Sequence, residues 1–301
     1  MRISARTPVT GAAVLATALL LAATGCSSGS DEGDGGSELL TGLGSLSAEA
    51  DEKQVSFVDA DEVRKLSEDD PKRFASVSQP SSPLLNPYQP GLLGKQFKVS
   101  QIDTAVDTDQ AGHWRGSFDV PAMTAALKAS GYEQGERDGE EVWSHPEGSG
   151  VTLQVSDDEV SYGAGESDPM SAVSPEEGSS LADDKEFERA AECLGDVYRA
   201  DFNRSSSPDP VLLAALGQRA KTADENTEVL CFVVEDDATA KKLAADLRTV
   251  VSDESPKFDG TKVTVEKGDR PVVRAVVPDT AEQRPGRLIL TDMELWAAAA
   301  R

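Results

Sequence analysis

Six consecutive residues, Val229 to Val234 (VLCFVV), are apolar on both faces of any strand they form, which makes that strand central in its sheet. Elsewhere the pattern differs. Val151, Leu153 and Val155 alternate with period two, so their strand buries one face only. Short strands joined by Gly, Asp and Pro turns favour antiparallel pairing. The expected class is α+β: two related antiparallel-sheet units with helices packed on one face, after a disordered N-terminal tether.

The units are assigned to residues 55–165 and 181–301, joined by a linker over 166–180 (residues 163–180 read GAGESDPMSAVSPEEGSS). In the first unit, a helix is expected over 59–77 around Val63, Leu66 and Phe74. Two strands follow, in KVSQIDTAV and WRGSFDV, then a helix over 121–130 and strands at 141–144, 151–156 and 159–162. The second unit reads in the same order: VLLAALGQR, EVLCFVV, a helix from Asp237 to Val251, then strands in KVTVEKG, PVVRAVV and RLILTDMELW. A weak internal repeat accompanies this order. Leu153, Val155, Ser156, Asp157, Glu159 and Val160 match Leu288, Leu290, Thr291, Asp292, Glu294 and Leu295 at one offset, and Phe118 pairs with Phe232 and Leu127 with Leu243 at shorter ones. Leu181 to Phe202 reads as one helix, its apolar stripe running through Phe187, Ala191, Leu194, Tyr198 and Phe202.

Ahead of these units, a basic start (Met1 to Arg6) precedes an apolar run from Val9 to Ala23, then Thr24, Gly25 and Cys26. The run suits a signal-peptide core and falls short of the roughly 20 residues needed to span hydrocarbon. This arrangement resembles a bacterial lipoprotein signal, and with a composition rich in Ala, Gly, Asp and Arg the chain looks like an actinobacterial lipoprotein of unassigned function. The resemblance implies that residues 1–25 are removed and that Cys26 is acylated. The mature protein is then lipid-anchored at the extracytoplasmic face of the cell membrane, and residues 26–54, with little apolar content beyond Leu39, Leu40, Leu43 and Leu46, are a flexible tether.

Removal of 1–25 takes away Arg2 and Arg6 and no acid, leaving 27 basic against 54 acidic residues. Such a chain lacks the basic stripe that nucleic acid requires, so no nucleic-acid partner is expected. Apart from Cys26 there are two cysteines, Cys193 and Cys231, and in an oxidising compartment they are expected to bridge. That bridge would staple the 181–202 helix to the central strand.

The search for chemistry returns little. Ser-x-x-Lys and Gly-rich phosphate loops are absent, and no cofactor or metal is expected. His113 and His145 are the only histidines, and both read as solvated turn residues. Asp107, Asp109 and Gly112 in DTDQAG begin like a calcium loop, but Ala111 and Phe118 occupy positions where ligands should stand. The segment SSPLLNPYQPGLLGKQF, residues 81–97, is expected to be extended. Its Leu84, Leu85, Tyr88, Leu92 and Leu93 either bind a partner or pack across their own domain. Trp114, Trp143 and Tyr132 join them as a candidate surface. The reading is a non-catalytic lipoprotein binding a protein or cell-envelope component in the cleft between two units, tied to the membrane through Cys26. The alternatives are an envelope hydrolase using His113 or His145, or an accessory sensor for a membrane kinase or transporter.

Overall fold

A computed structural model describes residues 37–48, 53–68, 70–85, 92–95, 97–147, 150–165, 168–205 and 209–299. Cys26, the signal segment and Tyr88 lie outside them. In chain order the first half comprises α1 (Glu38–Gly44), β1 (Gln54–Asp59), α2 (Ala60–Leu66), β2 (Ile102–Thr108), β3 (Ala111–Gly116), α3 (Val120–Ala129), β4 (Glu133–Arg137), β5 (Glu140–Ser144), β6 (Val151–Val155) and β7 (Glu159–Ala164). The second comprises α4 (Lys185–Leu194), β8 (Arg199–Arg204), β9 (Val211–Ala220), β10 (Asn226–Val234), α5 (Asp237–Asp253), β11 (Lys262–Glu266), β12 (Val272–Pro278), α6 (Arg287–Leu290) and α7 (Glu294–Ala298). The class is α+β. No helix of the described residues is long and apolar enough to cross a membrane.

All twelve strands form one antiparallel sheet in the order β11-β12-β10-β9-β8-β1-β2-β3-β7-β6-β5-β4. Residues 55–165 and 181–301 contribute strands to the two sides of this one sheet. In each half a three-stranded meander leads to a helix, and the chain then crosses to the outer edge and returns beside the third strand. The return has four strands in the first half (β4 to β7) and two in the second (β11, β12). Leu127 lies on α3 and Leu243 on α5. The strongest sequence match does not survive: Leu288 to Leu295 lie on α6 and α7, whereas Leu153 to Val160 lie on β6 and β7. RLIL is too short an apolar run for periodicity to separate helix from strand. Gly286, with φ of 83°, turns the chain just before it.

The halves join through their first strands. β1 and β8 pair antiparallel from Gln54↔Asn203 to Val58↔Arg199, centred on Ser56↔Asp201. β10 is the strand that needs cover on both faces, and it receives it. Val229, Cys231 and Val233 enter a core with α1 and α4, and Leu230, Phe232 and Val234 enter a second with α5 and α7. Helices therefore lie on both faces of the sheet rather than on one. A third core beneath α3 contains Trp114, Trp143, Tyr132 and Tyr162.

Several expected boundaries move for local reasons. The 26–54 segment expected as a tether is folded from Ser37 on: the Ser37 hydroxyl caps α1 by accepting from Leu40 N, and Leu39, Leu43 and Leu46 are buried. β1 follows at once. The 59–77 helix stops at Leu66, and the 181–202 helix stops at Leu194, where Gly195 at φ of 70° ends it. Tyr198 immediately precedes β8 and Phe202 lies within it. Residues 169–173 of the linker form a short 3-10 turn that seats Met170 and Val173 on the first half. The carbonyl of Pro169 comes so close to Gly163 that a Cβ there would stand 1.8 Å from it. Cys193 and Cys231 are bonded, with Cα atoms 6.1 Å apart, and fasten α4 to β10.

Candidate functional site

A cleft of about 290 Å³ opens at the junction of the halves. Its floor carries Ser56 of β1 with Asp107 of β2 and Asp201 of β8 on either side. Its wall is Ile289, Met293 and Trp296 from the C-terminal helices, and Asp109 and Ser81 stand at its margin. The sheet register produces the floor: Asp201, Ser56, Asp107, Gly112 and Tyr162 are successive cross-strand partners over β8, β1, β2, β3 and β7.

Gly112 lets this row work as a unit. A Cβ there would lie 2.4 Å from the Tyr162 ring and 2.5 Å from Asp107 Oδ1, so only glycine allows Tyr162 to reach across β3. Tyr162 OH donates to Asp107 Oδ1 at 2.7 Å, and Trp114 Nε1 donates to the same oxygen at 2.8 Å. Ser82 Oγ donates in turn to Tyr162 OH. Asp107 is 1% exposed, and its Oδ2 has no hydrogen-bond partner. Burial pushes its carboxyl up to about 6, against the pull of the Tyr162 and Trp114 donors.

Asp201 is held differently. Arg199 donates to both of its oxygens, at 2.9 and 3.0 Å, and the rest of the guanidinium binds the Gln79 carbonyl at 3.0 Å and Ser81 Oγ at 3.1 Å. That cation is committed to Asp201 and to the loop entering the 81–97 segment. Asp201 is thus paired directly with Arg199, whereas Asp107 feels that cation only from further off.

The residues nominated from sequence are placed otherwise. Leu84 and Leu93 are buried in the α3 core and Leu85 and Leu92 are half-buried against it, so the strap turns these side chains to the protein's own interior. Trp114, Trp143 and Tyr132 are buried there too. His113 is a strand residue, not a turn residue. Its Nδ1 lies 2.9 Å from Ser161 Oγ and its Nε2 lies 3.8 Å from Glu159, in a depression beside α1, and burial lowers its pKa. His145 follows β5 at a turn, where its Nδ1 accepts from Glu147 N at 3.4 Å. DTDQAG is the β2–β3 hairpin: Asp107 stands in a strand and Asp109 in the turn, so the two do not wrap an ion. Among the described residues, no group of three or more His, Cys, Asp or Glu is placed to hold a metal ion.

Sequence reasoning missed Arg199, Asp201 and the C-terminal wall. Asp107 carried a signal: in IDTAVDT it shares a strand face with Ala105, a core position, where an acid has no business without a partner. Comparison with protein-family models, with curated proteins and with solved structures finds no match.

Proposed function

We propose that the protein is a lipid-anchored extracytoplasmic binding protein that holds a partner or cell-envelope component in the cleft between its sheet halves. The cleft itself, lined by Ser56, Asp107 and Asp201 and walled by Ile289, Met293 and Trp296, carries the binding part of this reading. Its anchoring rests on the resemblance of residues 1–26 to a lipoprotein signal. Eleven positions separate Cys26 from Ser37, a stretch that reaches at most about 40 Å, so an anchored body would work close to the bilayer. A hydrolytic reading around His113 is less well supported. Ser161, Glu159 and His113 align hydroxyl, acid and imidazole, but Ser161 sits mid-strand between β3 and β6, where neighbouring N–H groups are engaged in the ladder rather than free to stabilise an oxyanion.

Photo-cross-linking in intact cells tests the binding part. A photoreactive residue at Met293, in the cleft wall, should give a discrete adduct that the same residue at Asp253, at the end of α5, does not. Equal or absent adducts at the two positions would count against the cleft. Mass spectrometry of the native N-terminus tests the anchor, and an unmodified Cys26 thiol would remove it.

A further inference from the structure

We infer that the cleft receives a neutral sugar, whose hydroxyl edge lies on the Gln54–Asn203 and Ser56–Asp201 pairs of the floor and whose C–H face lies against Trp296. This rests on the binding reading above and gives that site its ligand chemistry.

The sheet builds this floor in pairs. On the adjacent strands β1 and β8, Gln54 stands opposite Asn203 and Ser56 opposite Asp201. Residues two apart on a strand share a face, so these side chains all point into the cleft that they line. Gln54 and Asn203 are exposed, and neither amide has a hydrogen-bond partner among the described residues. Each offers a carbonyl oxygen and an NH₂ donor group in one plane. An ionised carboxylate has about four acceptor sites, and Arg199 takes up one on each oxygen of Asp201. The floor thus sets donors beside acceptors, which suits neighbouring hydroxyls, since a hydroxyl both gives and accepts a hydrogen bond.

The wall supplies the complementary surface. Trp296 is half-buried with Phe232 packed against it, ring centroids 6.0 Å apart, and its indole N–H has no partner among the described residues. Ile289 and Met293 extend this apolar side, Met293 being 49% exposed. A sugar ring carries both surfaces in one small molecule: hydroxyls around its edge and C–H groups on its faces, which pack on aromatic rings. Other classes fit less well. No lysine or arginine lines the cleft, so phosphates and carboxylates meet no counter-charge. Asp201 is already paired, Asp107 Oδ2 is sealed from solvent and Asp109 alone stands open at the margin, so a cation finds no cage. A wholly apolar ligand would strip water from the two floor amides and leave them unpaired. At about 290 Å³ the cleft is at the small end of ligand sites, whose range starts at about 300 Å³, and suits one ring or the end of an oligosaccharide.

The test applies the full-length protein, in a detergent without a sugar headgroup, to an array of neutral hexose and pentose oligosaccharides, with sulfated and phosphorylated ones as charged controls. Neutral members should bind and charged ones should not. The affinity of the tightest neutral binder, titrated by calorimetry, should hold within about twofold between about 0.05 and 0.5 M salt, because no ion pair forms. Gln54→Ala, Asn203→Ala and Trp296→Ala should each weaken it about tenfold or more, the loss of one or two hydrogen bonds or of the ring face. Gln54 and Asn203 are exposed, so their variants carry the test if the Trp296 variant does not fold. Preference for the charged controls, affinity that falls steeply with salt, or binding untouched by the Gln54 and Asn203 variants overturns the sugar. Binding of no array member overturns it too: a discrete adduct at Met293 in cells then leaves the cleft as a binding site, and absence of that adduct removes both.

Discussion

Asp107→Asn should make the ligand-free protein more stable at neutral pH, an unusual result for a fully buried hydrogen-bonded residue. Asparagine keeps an oxygen for the Trp114 and Tyr162 donors and carries no charge. The Asp107 carboxyl stands at about 6 in the folded state against 3.8 unfolded, so ionisation favours unfolding. Below 3.8 both states are protonated and the penalty vanishes. It grows between 3.8 and 6 and is complete above 6. At about 1.4 kcal/mol per unit the full penalty is about 3 kcal/mol, and the group is wholly buried, so solvent screening does not reduce it. Urea denaturation followed by circular dichroism, on parent and D107N from pH 4 to pH 8, should give stabilities that coincide near pH 4 and diverge to about 3 kcal/mol by pH 8. The groups facing Asp107, namely Tyr162, Arg199, Asp201 and Asp109, are present in both proteins and cancel in the difference. Glu228, pushed up to about 8 by burial and by Asp279, cancels likewise. A variant less stable than the parent at pH 8, or a difference that does not change with pH, would refute the reasoning.

Replacing Cys193 and Cys231 together by alanine opens a loop of 38 positions and should cost about 4 kcal/mol, read as a lower urea midpoint that reductant no longer shifts. Gly163→Ala drives a methyl against the Pro169 carbonyl and should cost about 1–3 kcal/mol; faster proteolysis of the 165–180 segment would report its detachment. Arg287→Met strands Asp279, whose side chain is fully buried, beside Glu228. A loss of about 3–5 kcal/mol at pH 7 is expected, shrinking as the pH falls because burial holds Asp279 above its usual range and protonation removes its charge, while Glu228, pushed up to about 8, is already mostly neutral at pH 7. Thermal unfolding at pH 7 and pH 5 measures it.

What the sequence revealed and what it hid divide along physical lines. Strong local patterns translated directly: the alternation at Val151, Leu153 and Val155 is β6, VLCFVV is central in β10, and Asp237 to Val251 lies within α5. Features set by distant partners did not. QVSFVD shows no clear alternation, yet it is β1, because β2 and β8 flank it. Tyr198 and Phe202 kept helical spacing past Gly195 by coincidence, and their burial comes from the sheet. The site was partly visible. DTDQAG drew notice for alternate carboxylates, but the structure buries only one of them, Asp107, with Gly112 across the hairpin. The C-terminal wall was hidden because RLIL and ELW are each shorter than two helical turns, and their burial against Phe232 and Phe258 is decided by the finished fold.

The β1–β8 ladder also fixes the mechanics of the molecule. Binding proteins built from two lobes on a hinge close over their ligand and report occupancy by that closure. Here the lobes share continuous strand pairing across five residue positions, so a clamshell motion would have to tear the centre of the sheet. The two short C-terminal helices, α6 and α7, belong to no strand ladder, so they can shift without breaking that pairing.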